Sequence, residues 1–138
     1  NDGFDIAIGS KGLRESMVIK PRLIRWYVGR IFNFLVRKFM GLNYMDTQCG
    51  FKCFDRNSAD LIFPLLKIND YSFDVEILYL AKKLNLKVKE VPVRCINYQG
   101  SRVNVIKDSI KMLFSITKIK RIHQDSNERF GLVEKRGR

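Results

Sequence analysis

The chain has 138 residues, enough for one domain with a buried core. Its 46% hydrophobic and 12% aromatic content excludes a disordered chain. Lysine and arginine outnumber the acids 26 to 14, and the net charge of +12 calls for an anionic partner such as nucleic acid, an anionic membrane surface or a phosphorylated substrate.

No charge-free apolar run approaches the roughly 18 residues that a membrane span needs. The chain opens on Asn1-Asp2-Gly3 with no initiator Met, so it is expected to begin inside a longer sequence. Cys49, Cys53 and Cys95 are expected to be reduced thiols in small buried positions. Zinc is disfavoured, because only Cys95 and the lone His123 could complete the Cys49/Cys53 pair.

In chain order, residues 4–10 read as a short strand ending in a Gly-Ser turn, with Lys11 and Arg14 just beyond it. That arrangement puts a cation at the top of a sheet, or simply a solvated charge in a loop. Pro21 then opens a helical pattern over residues 22–40, stopped by Gly41. The helix is apolar over most of its circumference. Arg25, Gly29 and Asn33 repeat at a spacing of four and make a narrow polar stripe. An arginine in an apolar setting is costly unless paired, so either the stripe faces solvent or Arg25 meets an anion. Arg30, Arg37 and Lys38 with Trp26 and Tyr27 suit a helix lying on a membrane, and equally a core helix with snorkelling arginines.

Residues 46–54, Asp-Thr-Gln-Cys-Gly-Phe-Lys-Cys-Phe, pack an acid, an amide, a glycine and a lysine between apolar helical segments. Gly50 is expected to let the backbone approach something closely. The stretch reads as the floor of a site, or as an ordinary loop entering a buried strand. Phe51, Cys53 and Phe54 are expected in the core either way.

Asn57 or Ser58 is expected to cap a short helix over residues 59–66. A further helix over 71–83 carries the apolar stripe Phe73, Ile77, Leu80 and Leu84. Asp74 and Glu76 fall in its first turn, where acids favour the helix dipole. Residues 86–93 alternate as a strand with one wetter face and Pro92 late. Residues 99–104 form a second Gly-Ser-cation turn, with Arg102 suited to phosphate oxygens. A basic amphipathic helix spans 105–122 and reads as a membrane-surface or partner-docking element. The tail, 124–138, is polar and basic. Alternating strands and helices predict an α/β domain over 1–123, with too few strands for a full doubly wound sheet.

The string Asp46-Thr-Gln-Cys-Gly-Phe-Lys52 resembles the motif of family 2 glycosyltransferases that act on polyprenyl phosphates, the dolichyl-phosphate β-glucosyltransferases most closely. Ile8-Gly-Ser-Lys11, the helix with Arg25 and Phe32-Asn-Phe-Leu-Val36, Phe73-Asp-Val-Glu76, Glu90-Val-Pro-Val93 and Gly100-Ser-Arg102 follow in the family's order. The resemblance implies a partial GT-A, Rossmann-like fold corresponding to the C-terminal half. The family's acidic metal-binding Asp-x-Asp is absent, so Mg²⁺ or Mn²⁺ ligands are expected mainly outside this chain, and catalysis by the chain alone is not expected.

The implied reaction is an inverting transfer of glucose from UDP-glucose to dolichyl or another polyprenyl phosphate. Residue by residue, Lys11 and Arg25 fall where the family binds the acceptor phosphate, Asp46 on its essential acid, and Ser101 and Arg102 on the loop over the donor diphosphate. Gly29 stands where mannose synthases of the family have a serine. Gln48, Gly50 and Lys52 shape the surroundings of Asp46. Asp74 and Glu76 match a family motif with no role implied. The expected location is the cytoplasmic face of a membrane, endoplasmic reticulum in a eukaryote or plasma membrane in a prokaryote.

The competing expectation is a non-catalytic basic module that binds membrane or nucleic acid. RNA binding favours aromatics on an exposed sheet face. The aromatics here concentrate on the 22–40 helix, which fits lipid better, so no nucleic-acid partner is expected.

Overall fold

The computed structural model describes residues 3–19, 23–96 and 105–124, excluding the side chains of 23–25, 105–109 and 124. It is a mixed α/β fold. In chain order the elements are β1 (Ile6–Ser10), β2 (Met17–Ile19), α1 (Leu23–Met40), β3 (Lys52–Phe54), α2 (Arg56–Ile62), a 3-10 turn (Phe63–Leu65), α3 (Phe73–Lys83), β4 (Val88–Pro92), β5 (Arg94–Ile96) and α4 (Val105–Gln124).

β1 is the central strand of a three-stranded sheet of order β3-β1-β4. It runs antiparallel to β3, with Ile8 opposite Lys52, and parallel to β4, with Ile8 opposite Glu90 and Ser10 opposite Pro92. β2 and β5 form a separate parallel pair with Val18 opposite Cys95. The expected strand over 86–93 is therefore β4, and the chain turns past Val93 into β5, whose short pairing leaves no strong local pattern. The Ser16 hydroxyl stitches the two sheets together, donating to the Ser10 carbonyl at 2.5 Å and accepting the Val93 N–H at 3.0 Å.

The helix ends follow local chemistry. Gly41 adopts φ +64°, and the Leu42 N–H returns to the Arg37 carbonyl at 2.9 Å, closing α1 in a Schellman motif. Asn85 does the same for α3 with φ +54°, the Leu86 N–H reaching Ala81. α2 is capped by Asp55, whose carboxylate accepts the Ser58 N–H at 2.7 Å. The expected caps, Asn57 and Ser58, lie inside the helix. Asp55 prevails because it is already extended where β3 ends, as a capping residue must be.

One core joins sheet and helices: Ile6 and Ile8 of β1, Phe32, Val36 and Met40 of α1, Ile62 of α2, and Ile116 and Ile119 of α4. α3 runs through it, with every residue from Val75 to Ala81 buried. The expected single stripe fails here because α3 is enclosed by α2, α4 and the rest of the core. Phe73, placed in that stripe, is 36% exposed. Phe51 and Cys53 were expected in the core but are exposed, and Cys95 is only half-buried. β3 lies at the sheet's edge, where one face and one flank stay open. Cys49 is buried and Phe54 packs against the core, as expected.

Outside that core, α1 leaves Trp26, Tyr27, Ile31, Phe34, Leu35 and Phe39 exposed. α4 packs on α1 and adds exposed Ile110, Leu113 and Phe114. Arg30 lies over the Trp26 ring at 4.9 Å and Lys120 over Phe39 at 4.9 Å. No helix among the described residues is long and apolar enough to cross a membrane.

Candidate functional site

Strand β1 ends at Ser10, and Lys11 follows at once beside the segment 45–48. The Asp46 carboxylate accepts the Lys11 backbone N–H at 3.1 Å and lies 3.4 Å from the Lys11 ammonium. Its other oxygen accepts the Gln48 N–H at 3.1 Å, an Asx turn within the loop. The Lys11 side chain is 42% exposed and that of Asp46 is 11% exposed, so the acid sits in a recess with a cation at its rim.

Two further side chains grip the backbone on either side of Asp46. Glu90 of β4 accepts the Met45 N–H through both oxygens, at 2.8 and 3.0 Å, and the Asp46 N–H at 3.2 Å. Asn33 of α1 accepts the Thr47 N–H at 3.1 Å and the Thr47 hydroxyl at 2.7 Å, and its amide donates to the Met45 carbonyl at 2.7 Å. Thr47 is fully buried. Burial pushes the neighbouring Tyr44 hydroxyl above its ordinary pKa, and the negative charge of Glu90 adds to the rise.

The close approach expected at Gly50 occurs elsewhere. A Cβ on Gly50 would meet open space. A Cβ on Gly12 would lie 2.9 Å from the Met45 Cβ and 3.1 Å from its carbonyl oxygen. A Cβ on Gly9 would lie 2.7 Å from Val93 and 3.0 Å from the Cys49 sulfur. The glycines that let the loop settle on the sheet belong to β1 and the turn after it, because the loop lies over them.

Lys52 is turned inward, 5% exposed, donating to the Cys49 carbonyl and to the Asp74 carboxylate, both at 2.6 Å. It therefore ties the Asp46 loop to the start of α3. Gln48 reaches the Met112 sulfur of α4 at 3.8 Å. Asp74 borders an open cleft of about 690 Å³ with Ile68, Asn69, Asp70, Tyr71 and Phe73. Partial burial works against the charged form of Asp70, but hydrogen bonds from Ser115 and Ser72, with the Lys118 charge, outweigh it and hold the carboxyl below its ordinary pKa.

Glu76 lies in the first turn of α3, as expected, but its carboxylate is turned inward. It is fully buried and accepts the Lys67 N–H at 3.0 Å, the Ile68 N–H at 3.0 Å and a contact from His123 Nε2 at 2.7 Å. It braces the loop before α3 against α4, because a buried carboxylate must find partners and these amides and this ring supply them.

Of the residues singled out from the sequence, Lys11, Asp46, Gln48 and Lys52 come together around one loop. The side chain of Arg25, and all of Ser101 and Arg102, lie outside the described residues. Sequence reasoning gave no role to Glu90, Asn33, Thr47 or Gly12. Asn33 carried one signal, a lone amide on an apolar helix, and Glu90 another, an acid in a strand otherwise rich in valine and lysine. No group of three His, Cys, Asp or Glu side chains among the described residues is placed to hold a metal ion. Both oxygens of Asp46 are already engaged by donors.

No family model matches the chain, and no solved structure matches it. Curated relatives do. The chain is 38% identical over 117 residues to the dolichyl-phosphate β-glucosyltransferase of Dictyostelium discoideum, covering 83% of this chain and 36% of that relative. For the Drosophila melanogaster enzyme of the same name the identity is 42% over 99 residues, 71% of this chain and 30% of the relative. For that of Saccharomyces cerevisiae it is 39% over 109 residues, 78% and 33%. By sequence, then, the chain is similar to one part of known glycosyltransferases. Within that class these relatives are dolichyl-phosphate β-glucosyltransferases, and the chain spans about a third of their length.

Proposed function

We propose that the chain is part of an inverting glycosyltransferase of the GT-A type that moves glucose from UDP-glucose onto dolichyl or another polyprenyl phosphate. The observation that carries this reading is the Asp46–Lys11 contact at the end of β1. It puts an acid and a cation side by side in a chain similar to relatives named dolichyl-phosphate β-glucosyltransferases.

In this reading a lipid phosphate oxygen forms a bond to the anomeric carbon as the bond from that carbon to UDP breaks, and UDP leaves with the electron pair. The nucleophile is already anionic, so positioning and charge neutralisation matter more than a strong base. Lys11 and Arg25 hold the lipid phosphate. Asp46 sits at the reaction centre and, through its contact with Lys11, sets where that phosphate rests. Ser101 and Arg102 close over the donor diphosphate. A Mg²⁺ or Mn²⁺ ion would neutralise the leaving diphosphate when bound.

The exposed apolar residues of α1 and α4, with Arg30 and Lys120 among them, favour attachment at a membrane surface, taken in this reading as the cytoplasmic face. A basic nucleic-acid-binding module is the weaker reading, since most of the exposed aromatics, Trp26, Tyr27, Phe34, Phe39 and Phe114 among them, lie on helices.

The test is a transfer assay with the full-length enzyme, UDP-glucose and dolichyl phosphate. Asp46→Asn lowers kcat by on the order of 1000-fold and leaves UDP-glucose binding intact. Wild-type turnover by that variant rejects the assignment.

A further inference from the structure

We infer that Glu90 and Asn33 are positioning residues that set the location of the Asp46 carboxylate for the transfer reaction. This rests on the role of Asp46 proposed above. The segment 45–47 has one acid at its centre, and four of its backbone groups are bonded by side chains: the N–H groups of Met45, Asp46 and Thr47 and the carbonyl of Met45. All four are held by these two side chains, which approach from different elements.

Glu90 takes the Met45 and Asp46 N–H groups from the sheet side. Asn33 takes the Thr47 N–H and the Met45 carbonyl from the helix side. Bonds from consecutive amides to a carboxylate are charge-assisted, roughly twice as strong as neutral ones. Neither residue bonds the Asp46 carboxylate, which is left to Lys11 and Gln48. The backbone is thus fixed by one pair of residues and the carboxylate is aimed by another.

The residue types are informative. Asn33 both accepts and donates, a combination that Asp and Leu, of similar size, cannot supply. Glu90 offers both of its oxygens to one N–H, where glutamine has a single acceptor. Its place is also rigid, because the register that puts it opposite Ile8 belongs to the central sheet.

The experiment is a double-mutant cycle in the full-length enzyme, with UDP-glucose and dolichyl phosphate as substrates. Glu90→Ala and Asn33→Ala each lower kcat by on the order of 100-fold, with KM for both substrates within about twofold, because an ångström of misplacement costs that much. Glu90→Gln keeps one acceptor and loses less. In an Asp46→Asn background, read at high enzyme concentration, either substitution adds no further loss, since it acts only through Asp46. If Glu90→Ala does not fold, Glu90→Gln is carried through the same cycle. Full multiplicative loss on top of Asp46→Asn, or a loss confined to KM, overturns the inference while leaving the role of Asp46 standing. Wild-type turnover by Asp46→Asn alone rejects the reading of Asp46 itself, and the inference with it.

Discussion

Glu76 and His123 meet across the core at 2.7 Å, Oε1 to Nε2, with relative exposures of 0% and 3%. The two residues are 47 positions apart, and the contact joins α3 to the last turn of α4. The carboxylate also holds two loop amides, so removing it takes a partner from two backbone N–H groups and from the ring at once. Glu76→Ala is expected to cost about 3–5 kcal/mol in urea denaturation, comparable to removing one partner of a buried pair. A loss below about 1 kcal/mol would mean that water or a rearranged loop takes over those donors.

Gly12 and Gly50 make a matched pair of tests. At Gly12 a methyl group would run into the Met45 backbone, which the Asn33 and Glu90 contacts prevent from moving away. Gly12→Ala is expected to destabilise by about 1–3 kcal/mol and to lower transfer by the full-length enzyme. Gly50→Ala has open space around it and should change stability by less than about 0.5 kcal/mol. Thermal melts of the two variants side by side decide between them.

Asp70 gives a pH dependence with a definite sign. Its folded-state pKa lies below the ordinary value of 3.8, so its contribution to stability is present above that value and fades as pH falls through the lower folded one. Ser115→Ala removes the hydroxyl that donates to Asp70 at 2.6 Å and brings the folded value back toward the ordinary one. Urea midpoints at pH 7 should favour the wild type. That advantage should shrink below about pH 4, where both proteins bind the proton.

The outer faces of α1 and α4 bear on attachment. Phe34 is 61% exposed and Phe114 is 72% exposed. Replacing both with aspartate should reduce co-sedimentation with anionic phospholipid vesicles about tenfold or more, because each substitution removes apolar contact and adds repulsion. The change should leave the melting temperature nearly unaltered, since neither ring is in the core. Equal sedimentation of wild type and variant would remove the membrane from the reading.

The sequence by itself determined what short-range chemistry governs. Helical periodicity placed α1 and α4 to within a few residues, Gly41 marked the stop of α1, and the strand-turn pattern placed β1 with Lys11 at its end. The 46–54 stretch stood out by composition alone. These signals are local: each needs only a few neighbouring side chains or one backbone conformation.

What only the tertiary structure decided is which distant groups satisfy one another. Glu90 is 45 residues from Met45, and Glu76 is 47 from His123. Asn33 looked like one rung of a polar stripe until the loop folded onto it. A carboxylate reads the same in sequence whether it faces water or is buried among amides. The difference lies in the desolvation cost that folding imposes and in the partners that the topology brings to meet it. By that rule Asp74 and Glu76, two residues apart, parted company: one reaches Lys52 at the edge of a cleft, and the other braces the core against α4.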